Sequence, residues 1–323
     1  MSAHTPGKIK RLYWNCRNIG AKPVLKALAF SRNWVGDFLW SIDDYRRVFG
    51  RYPNLHAPRR FSEHLLRLKL SRDGRSRLRA EISDKEFVKA YVKNKLGAGF
   101  TPKTLAVLRS KQEALAFQYP GTCVIKPTHM SGHVIFRRGG GPEFARSQIA
   151  CWFERNFYDV AREPNYRHLQ PAVIVEELLV EPGQDSVRDF KIFCFRGQPK
   201  FIQVDVNRFS GHRRNFYSPD WRELRFEMNY ARHSEPVARP ARLGEMLDAA
   251  RRLAGDFTFI RVDFYLRDSA VLVGELTNFP EACCTRFEPD HADFLAGRLF
   301  REPSIDVEEL FGAIVERPNP RRP

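Results

Sequence analysis

The sequence lacks several signatures that would decide its class directly. None of its six cysteines stands in a CxxC pair or at a metal-ligand spacing from a histidine, so neither a zinc framework nor a dithiol redox motif is indicated. No signal-peptide pattern and no run of about eighteen apolar residues occurs. We therefore expect a cytoplasmic protein, with contact at the inner face of the membrane left open, and we assign no role to the adjacent Cys283 and Cys284.

Nucleic-acid signatures are absent too, although the chain is strongly basic. The net charge is +16 and the isoelectric point is near 9.8, but no RNA-recognition, helix-turn-helix or zinc-finger motif is present. A hydrophobic fraction of 43% with 13% aromatic residues indicates a folded chain. The charge predicts an anionic partner such as a lipid headgroup or an acidic polysaccharide, and no nucleic acid is expected.

The P-loop pattern GxxxxGK[ST] is missing, but another lysine-bearing loop could contact phosphate. Lys126 lies near the end of the apolar run CVIKP, and the loop THMSGH with Ser131 and Gly132 follows it. Small residues let backbone N–H groups approach phosphate oxygens, while the ammonium supplies a positive charge. A purely structural turn remains an alternative for this loop, and an ordinary helix start remains one for Lys85.

Two acids occupy neighbouring apolar runs near the end of the chain. Residues 257–266 and 270–276 flank a polar break at 267–269, a pattern typical of a β-hairpin. Asp263 lies on the first run and Glu275 on the second, and cross-strand neighbours come within a few ångströms of each other. Carboxylate oxygens of this kind suit Mg²⁺. A surface hairpin with solvated acids is the alternative.

A further pair of acids, Glu176 and Glu177, interrupts an apolar run at residues 172–180. Carboxylates are rarely buried without a partner, so a functional partner or an edge strand with solvated acids is predicted. The other periodic segments predict strands at 104–108, 123–127, 134–136, 190–195 and 200–206, and helices at 22–50, 61–70, 142–158 and 244–253. Ser83 and Glu86 have the spacing of a capping box at the start of a helix that extends through Lys95. The chain is predicted to be α+β.

The order of these segments resembles one known family. DK at 84–85, VIKP with its loop at 124–132, VEELL at 175–179, RDFK at 188–191, RVDFY at 261–265 and GELTNFP at 274–280 follow the nucleotide-site elements of the ATP-grasp superfamily. The set is most similar to its TupA-like members. The resemblance implies two α+β lobes with ATP between them, over 61–180 and 181–300, preceded by a helical section at 1–60 and followed by a polar tail at 301–323.

The resemblance also implies a role for each matching residue. Lys85 and Lys126, with Ser131 and Gly132 of the loop, would contact the phosphates of ATP. Backbone groups of Glu177 and Leu178, with Leu179, would bracket the adenine along a hinge strand, and Glu176 or Glu177 would add a side-chain contact. Asp189 would bind the ribose. Lys191 and Arg261 would be catalytic, acting on the γ-phosphate and the transferring phosphoryl group, while Asp263 and Glu275 would hold Mg²⁺. Many ATP-grasp enzymes have Asn two residues after this Glu; here Thr277 stands there and Asn278 follows, so either one is a candidate for the metal shell.

The implied activity is ATP-dependent ligation of a carboxylate to an amine through an acyl-phosphate. The TupA-like members suggest an amino acid or amine joined to an acidic, uronic-acid-containing glycan of the bacterial cell envelope or capsule. Arg208, His212, Arg213 and Arg214 could meet that glycan, or form a solvated basic loop. A sugar kinase, a glycosyltransferase and a non-catalytic binder of anionic polymer are the alternatives.

Overall fold

The computed structural model describes residues 31–139, 144–179, 188–206, 211–267, 270–312 and 314. The described chain begins with two helices, α1 (Trp34–Phe49) and α2 (Phe61–Leu70). Helix α1 begins after Asn33, whose side chain accepts a hydrogen bond from the Gly36 N–H, and ends at Gly50, whose φ of 71° suits glycine. Within the described residues, no helix is both long enough and apolar enough to cross a bilayer.

The first lobe is built on an antiparallel sheet of four strands in the order β1-β4-β2-β3. The strands are β1 (Thr104–Leu108), β2 (Cys123–Pro127), β3 (Ile135–Arg137) and β4 (Val173–Glu176). The helices of this lobe are α3 (Arg77–Glu81), α4 (Phe87–Leu96), α5 (Lys111–Ala116), α6 (Arg146–Trp152) and α7 (Tyr158–Ala161), with a 3₁₀ turn at Pro164–Tyr166. Because β4 is an internal strand, the edge-strand alternative for Glu176 is wrong.

Two local predictions in this lobe are also wrong. The continuous helix expected over 142–158 is interrupted: α6 ends at Trp152, and α7 starts only at Tyr158. Ser83 does not cap α4. The Asp84 carboxylate accepts hydrogen bonds from the N–H groups of Glu86 and Phe87, at 2.8 and 3.3 Å, and so takes that place. The Ser83 hydroxyl has tertiary partners instead.

The second lobe contains a six-stranded antiparallel sheet in the order β11-β10-β5-β6-β7-β8. Its strands are β5 (Arg188–Phe195), β6 (Gln198–Val206), β7 (Arg213–Tyr217), β8 (Glu223–Leu224), β10 (Phe259–Arg267) and β11 (Ala270–Thr277). A small pair, β9 (Glu227–Met228) with β12 (Phe287–Glu288), adjoins it. The remaining helices are α8 (Leu243–Ala254), α9 (His291–Arg298) and α10 (Val307–Gly312).

The two faces of the large sheet have different partners. One face packs its aliphatic residues, such as Ile192 and Val262, in a cluster with α8 residues. Part of the other face carries a phenylalanine cluster whose members, each buried, include Phe61, Phe193, Phe201, Phe216, Phe259 and Phe300. Burying one such ring contributes roughly 1.5–3 kcal/mol. Lys191 lies two residues before Phe193 on the same strand, so the charged groups continue this second face beyond the cluster.

A β-bulge in β11 decides which face Glu275 occupies. Phe264 pairs with Val273, whereas Asp263 pairs with Glu275, so Gly274 is an extra residue. Before the bulge, Val273 faces the aliphatic core; after it, Leu276 does. The bulge therefore turns Glu275 away from that core and brings it opposite Asp263, as the predicted hairpin requires.

Candidate active site

Two lysines approach a buried carboxylate in the first lobe. The Lys126 Nζ lies 2.7 Å from Glu176 Oε2, and the Lys89 Nζ lies 2.5 Å from Oε1 of the same side chain. Burial disfavours each charge, but the ion pair with Glu176 outweighs it and raises the pKa of Lys126 to about 12. The same lysines lower the pKa of Glu176 against the effect of its burial. Glu176 thus keeps Lys126 charged.

Lys85 is attached to the predicted phosphate loop. Its backbone N–H donates to the Thr128 carbonyl at 3.1 Å, and its ammonium donates to the Met130 carbonyl. Burial lowers the pKa of Lys85. Met130 directly precedes Ser131 and Gly132, and Gly132 has a φ of 76°, a conformation that suits glycine. The ammonium and the loop backbone therefore lie side by side, as a phosphate site requires.

Lys191 lies among three carboxylates on the face of the large sheet that also carries the phenylalanine cluster. Its Nζ contacts Asp189 and lies 3.6 Å from Asp205 and 3.9 Å from Asp263. Lys191 and Asp263 are direct cross-strand partners on β5 and β10. Asp189 and Lys191 are two positions apart on β5, and their contact shows that both side chains lie on the same face of the sheet.

Arg261 is held beside Asp263 in a two-pronged contact. Its Nε and Nη2 donate to the two Asp263 oxygens at 2.7 and 2.6 Å, and Nη2 also donates to Thr277 Oγ1 at 3.0 Å. Burial opposes the charge of Arg261, but Asp263 raises the pKa of Arg261 overall. The guanidinium is therefore charged and fixed in the plane of the Asp263 carboxylate.

Glu275 is half-buried, and its side chain, unlike its backbone in the β10–β11 ladder, makes no hydrogen bond to another described residue. Burial raises the pKa of its carboxyl group, but the positive charges of Lys85, Arg261 and Lys191 outweigh burial, so the pKa is lowered overall. The carboxylate is thus ionised and available to a ligand. In the described ranges, no group of three or more His, Cys, Asp or Glu residues could hold a metal by itself. Asp263 and Glu275 together fit Mg²⁺, which takes one or two carboxylates and fills its other positions with water and phosphate oxygens.

The residues of both lobes meet at a narrow cleft. It is lined by Lys85, Val88, Lys89, Pro102, Lys126, Glu176, Val273 and Gly274. Val273 and Gly274 come from the large sheet and immediately precede Glu275, while the other lining residues belong to the first lobe. The structure therefore brings the lysines of the first lobe to the part of β11 that directly precedes Glu275, and the charges of Lys85 and Lys126 act on that carboxylate.

A comparison with known families gives a match at this point. The family described as TupA-like ATPgrasp matches residues 63–301, which is more than half of the chain. The chain belongs to the TupA-like ATP-grasp family. The predicted family and fold are thereby confirmed, with the α+β lobes in place and helical structure in the described part of the N-terminal section; residues 1–30 of that section lie outside the described residues.

Solved ATP-grasp ligases are also similar to this TupA-like chain. D-alanine–D-alanine ligase from Helicobacter pylori is 18% identical, with 69% of this chain and 61% of that one covered and a TM-score of 0.37. The Bacillus anthracis D-alanine–D-alanine ligase complexed with ATP is 15% identical, with 61% and 55% covered and a TM-score of 0.35. The ATP-grasp ligase PsnB complexed with a phosphomimetic precursor variant, Mg and ADP is 14% identical, with 74% and 64% covered and a TM-score of 0.39. The chain spans less than two thirds of each of these structures, and no curated protein matches it.

The residues of this TupA-like chain that are predicted to bracket adenine, Glu177, Leu178 and Leu179, follow β4 directly. The Glu177 N–H donates to the Lys103 carbonyl at 3.0 Å, and the Glu177 carboxylate accepts from the Lys103 N–H at 2.8 Å. Leu179 is buried and Leu178 half-buried. The backbone N–H of Glu177 is therefore bound to the first lobe here, and its adenine role, like those of Leu178 and Leu179, stays a prediction.

Thr277 and Asn278 point to opposite sides of the strand end. The Thr277 hydroxyl joins Arg261 at the predicted metal site. The Asn278 side chain is 2% exposed, and its oxygen accepts a hydrogen bond from Arg79 Nη1 at 2.8 Å. The β11 bulge falls at Gly274 and does not rotate Asn278 inward. The contacts therefore favour Thr277 over Asn278 as a neighbour of the metal.

The predicted basic loop is only partly described, because Arg208 lies outside the described residues. Arg213 is exposed at the start of β7. Arg214 is 4% exposed, and its Nε donates to Asp205 at 2.7 Å; the His212 Nε2 lies 3.1 Å from the same oxygen. Asp205 therefore binds both residues, and Arg213 alone among the three described members presents an exposed side chain.

Sequence reasoning missed four residues near the site: Lys89, Tyr166, Asp205 and Arg79. Tyr166 is buried, and its hydroxyl is hydrogen-bonded to Ser131, within reach of the Glu275 and Arg261 charges. Asp205 lies two residues after Gln203, the cross-strand partner of Lys191, so period-two spacing placed it on the same face. Lys89 and Tyr166 gave no such local signal, since only the tertiary fold brings them near the cleft.

Proposed function

We propose that this TupA-like protein is an ATP-dependent, ADP-forming carboxylate–amine ligase that uses Mg²⁺. One observation carries the proposal. The acids Asp263 and Glu275 are cross-strand partners on β10 and β11, and Arg261 and Lys191 lie beside Asp263. Val273 and Gly274 of β11 line the cleft that contains Lys85 and Lys126, and the charges of both lysines act on Glu275. Two acids for a metal with cations on both sides suit a bound triphosphate.

Each residue then has a defined task. Lys85 and Lys126 hold the non-transferred phosphates, and Lys191 and Arg261 neutralise the transferring phosphoryl group. A substrate carboxylate oxygen attacks the γ-phosphorus, the bond to ADP breaks, and an acyl-phosphate forms. An amine next attacks the acyl carbon, phosphate departs with the electron pair, and the amine loses a proton to leave an amide. Mg²⁺ held by Asp263 and Glu275 would supply shielding of the phosphate charges.

The proposed substrates are an acidic, uronic-acid-containing glycan or its precursor and an amino acid or amine. Their support is electrostatic: a chain with a net charge of +16 attracts an acidic polymer. The same charge supports peripheral contact with an anionic membrane surface or with polysaccharide machinery. Alignment and charge neutralisation are sufficient for this chemistry, and no protein nucleophile is required.

Product analysis tests the proposal. The purified protein is incubated with Mg·ATP, a uronic-acid oligosaccharide and a mixture of amino acids, and ADP and free phosphate are measured separately. We expect equal release of both, dependent on the carboxylate and the amine together. ADP without free phosphate would indicate a sugar kinase. Dependence on a nucleotide-sugar would indicate a glycosyltransferase, and binding of the glycan without any ATP consumption would indicate a non-catalytic binder.

Two variants refine this assay. Glu275→Gln removes one of the proposed metal ligands and is expected to lower turnover by at least 100-fold, because the phosphate charges lose their shield. Asp248→Asn changes an exposed acid that pairs with Arg251 on the same helix, α8, and is expected to leave turnover unchanged. Equal turnover of the Glu275→Gln variant and the native protein would contradict the metal site.

A further inference from the structure

A completely buried arginine lies behind the cleft and is absent from the reaction scheme above. Arg79 on α3 is 0% exposed. Its Nε and Nη2 each donate to the Asp73 carboxylate at 2.9 Å, while Nη1 donates to Asn278 Oδ1 at 2.8 Å and to the Phe259 carbonyl at 3.2 Å. A buried guanidinium is costly unless its donors are bound, and here each nitrogen has a partner.

The side chains of Asn278 and Ser83 also donate hydrogen bonds to the backbone of Arg79. The Asn278 Nδ2 donates to the Arg79 carbonyl at 3.1 Å and to the Ser83 hydroxyl at 2.9 Å. The Ser83 hydroxyl donates to the Arg79 carbonyl at 2.7 Å and accepts a second bond from Asn165 Nδ2 at 2.8 Å. We call Arg79, Ser83, Asn165 and Asn278 the clasp. Each of the four is nine-tenths buried or more.

The clasp joins three segments that carry site residues. Ser83 lies two residues before Lys85, and Asn278 follows Thr277 directly and Glu275 by three residues. Asn165 adjoins Tyr166, which is bonded to Ser131 of the phosphate loop. Lys85 and Ser131 belong to the first lobe, whereas Glu275 and Thr277 belong to the large sheet. The clasp therefore spans the junction between the two halves of the nucleotide site.

We propose that the clasp is a positioning device that fixes the separation between Lys85 and the Glu275 strand, so that both reach one Mg·nucleotide. The inference rests on the proposed nucleotide site and deepens it. None of the four residues touches the nucleotide in this arrangement. Asn278 acts through the strand end, Ser83 through the turn that carries Lys85, and Arg79 by binding both.

A clasp with this role predicts a binding defect in addition to any loss of stability. Asn278→Ala removes three of the hydrogen bonds, and Ser83→Ala removes one hydroxyl with little change in volume. We expect the dissociation constant for Mg·ATP, measured by titration calorimetry well below the unfolding temperature, to rise at least tenfold for Asn278→Ala and at least threefold for Ser83→Ala. Arg77→Ala is the matched control, since Arg77 lies on the same helix with its side chain 92% exposed, and its affinity is expected to change less than twofold.

The outcomes separate this proposal from the function itself. If the native protein binds Mg·ATP and both clasp variants bind it with native affinity while unfolding at lower temperature, the clasp is only structural and the proposal is overturned. If the native protein fails to bind Mg·ATP, the proposed nucleotide site fails, and the clasp role with it. If Asn278→Ala does not fold, the milder Ser83→Ala variant is the test. Weakened Mg·ATP binding by that variant would support the positioning role, and native affinity would overturn it.

Discussion

Glu176 is the single side chain on which two lysines of the cleft depend. It is 4% exposed, and Lys126 and Lys89 each bind one of its oxygens. Removing one member of a buried ion pair leaves an uncompensated charge, which costs more than the pair itself contributes. The pattern of two acids in an apolar strand predicted a functional partner or an edge position, but no local pattern identifies Lys126 and Lys89 as the partners.

Glu176→Gln is therefore expected to destabilise the fold by about 3–5 kcal/mol, since both lysines, each largely but not completely buried, lose the full negative charge beside them. Urea unfolding, followed by tryptophan fluorescence, measures the change. Glu177→Gln is the neighbouring control: its side chain is about a third exposed, with Arg267 3.5 Å away, and we expect a loss of about 1 kcal/mol or less. Equal effects of the two substitutions would contradict the buried pairing.

Glu163 is a second residue whose charge state affects stability. It is 7% exposed, and burial raises its pKa from 4.5 to about 8, although Lys69 acts in the opposite direction. Because the native state holds this proton more tightly than the unfolded state, the free energy of unfolding falls as pH rises from about 4.5 to about 8. A shift of this size corresponds to roughly 5 kcal/mol across that window.

Glu163→Gln removes this titration. We expect the variant to lose less stability than the native protein between pH 5 and pH 8 when both are unfolded with urea in the presence of a metal chelator. Well below pH 4.5, Glu163 is protonated in both the native and the unfolded state, so the two proteins are expected to differ little there. Parallel pH profiles for the two proteins would show that Glu163 does not hold its proton in the native state.

At the scale of secondary structure, the hairpin of β10 and β11 was predictable and its bulge was not. Two apolar runs around a polar break indicated the strands, but an unbroken strand through Val273 would place Glu275 on the aliphatic face. The extra residue Gly274 shifts the alternation of side chains by one position, so that Glu275 lies on the opposite face. The prediction that Ser83 caps a helix was wrong for a different reason. Its spacing to Glu86 is typical of a cap, but its hydroxyl binds Asn278, which is distant in sequence. Local patterns do not contain such tertiary competitors.

Gly274→Ala tests the bulge. A Cβ added there would lie 2.4 Å from Cε2 of the Tyr265 ring, so the ring or the strand must move. We expect a loss of about 1–3 kcal/mol in urea unfolding, as for other overpacked sites. In a Tyr265→Ala background the clash is absent, and the same substitution is expected to cost less than about 1 kcal/mol. Additive effects in this double-mutant cycle would contradict the close approach of the ring to Gly274.

At the scale of the whole molecule, two antiparallel sheets meet at one charged cleft. The order of short motifs along the chain was sufficient to predict the ATP-grasp fold, because each motif marks one strand or loop of the nucleotide site. The contribution of the distant α3 segment was not predictable, because Arg79 reaches Asn278 only after both lobes have formed. A ligand that binds across both lobes should stabilise the native state as a whole, since it has no site in the unfolded chain.

The proposed function requires that Asp263 and Glu275 hold Mg²⁺ for ATP bound between the lobes. Its most direct test is thermal unfolding of the native protein and of Glu275→Gln, each with Mg·ATP and with ATP plus chelator. At about 100 times the dissociation constant, binding adds roughly 2.7 kcal/mol of stability. We predict that Mg·ATP raises the Tm of the native protein well above the metal-free value and that Glu275→Gln loses this metal-dependent difference. The same metal-dependent rise in both proteins, or none in the native protein, would contradict the claim.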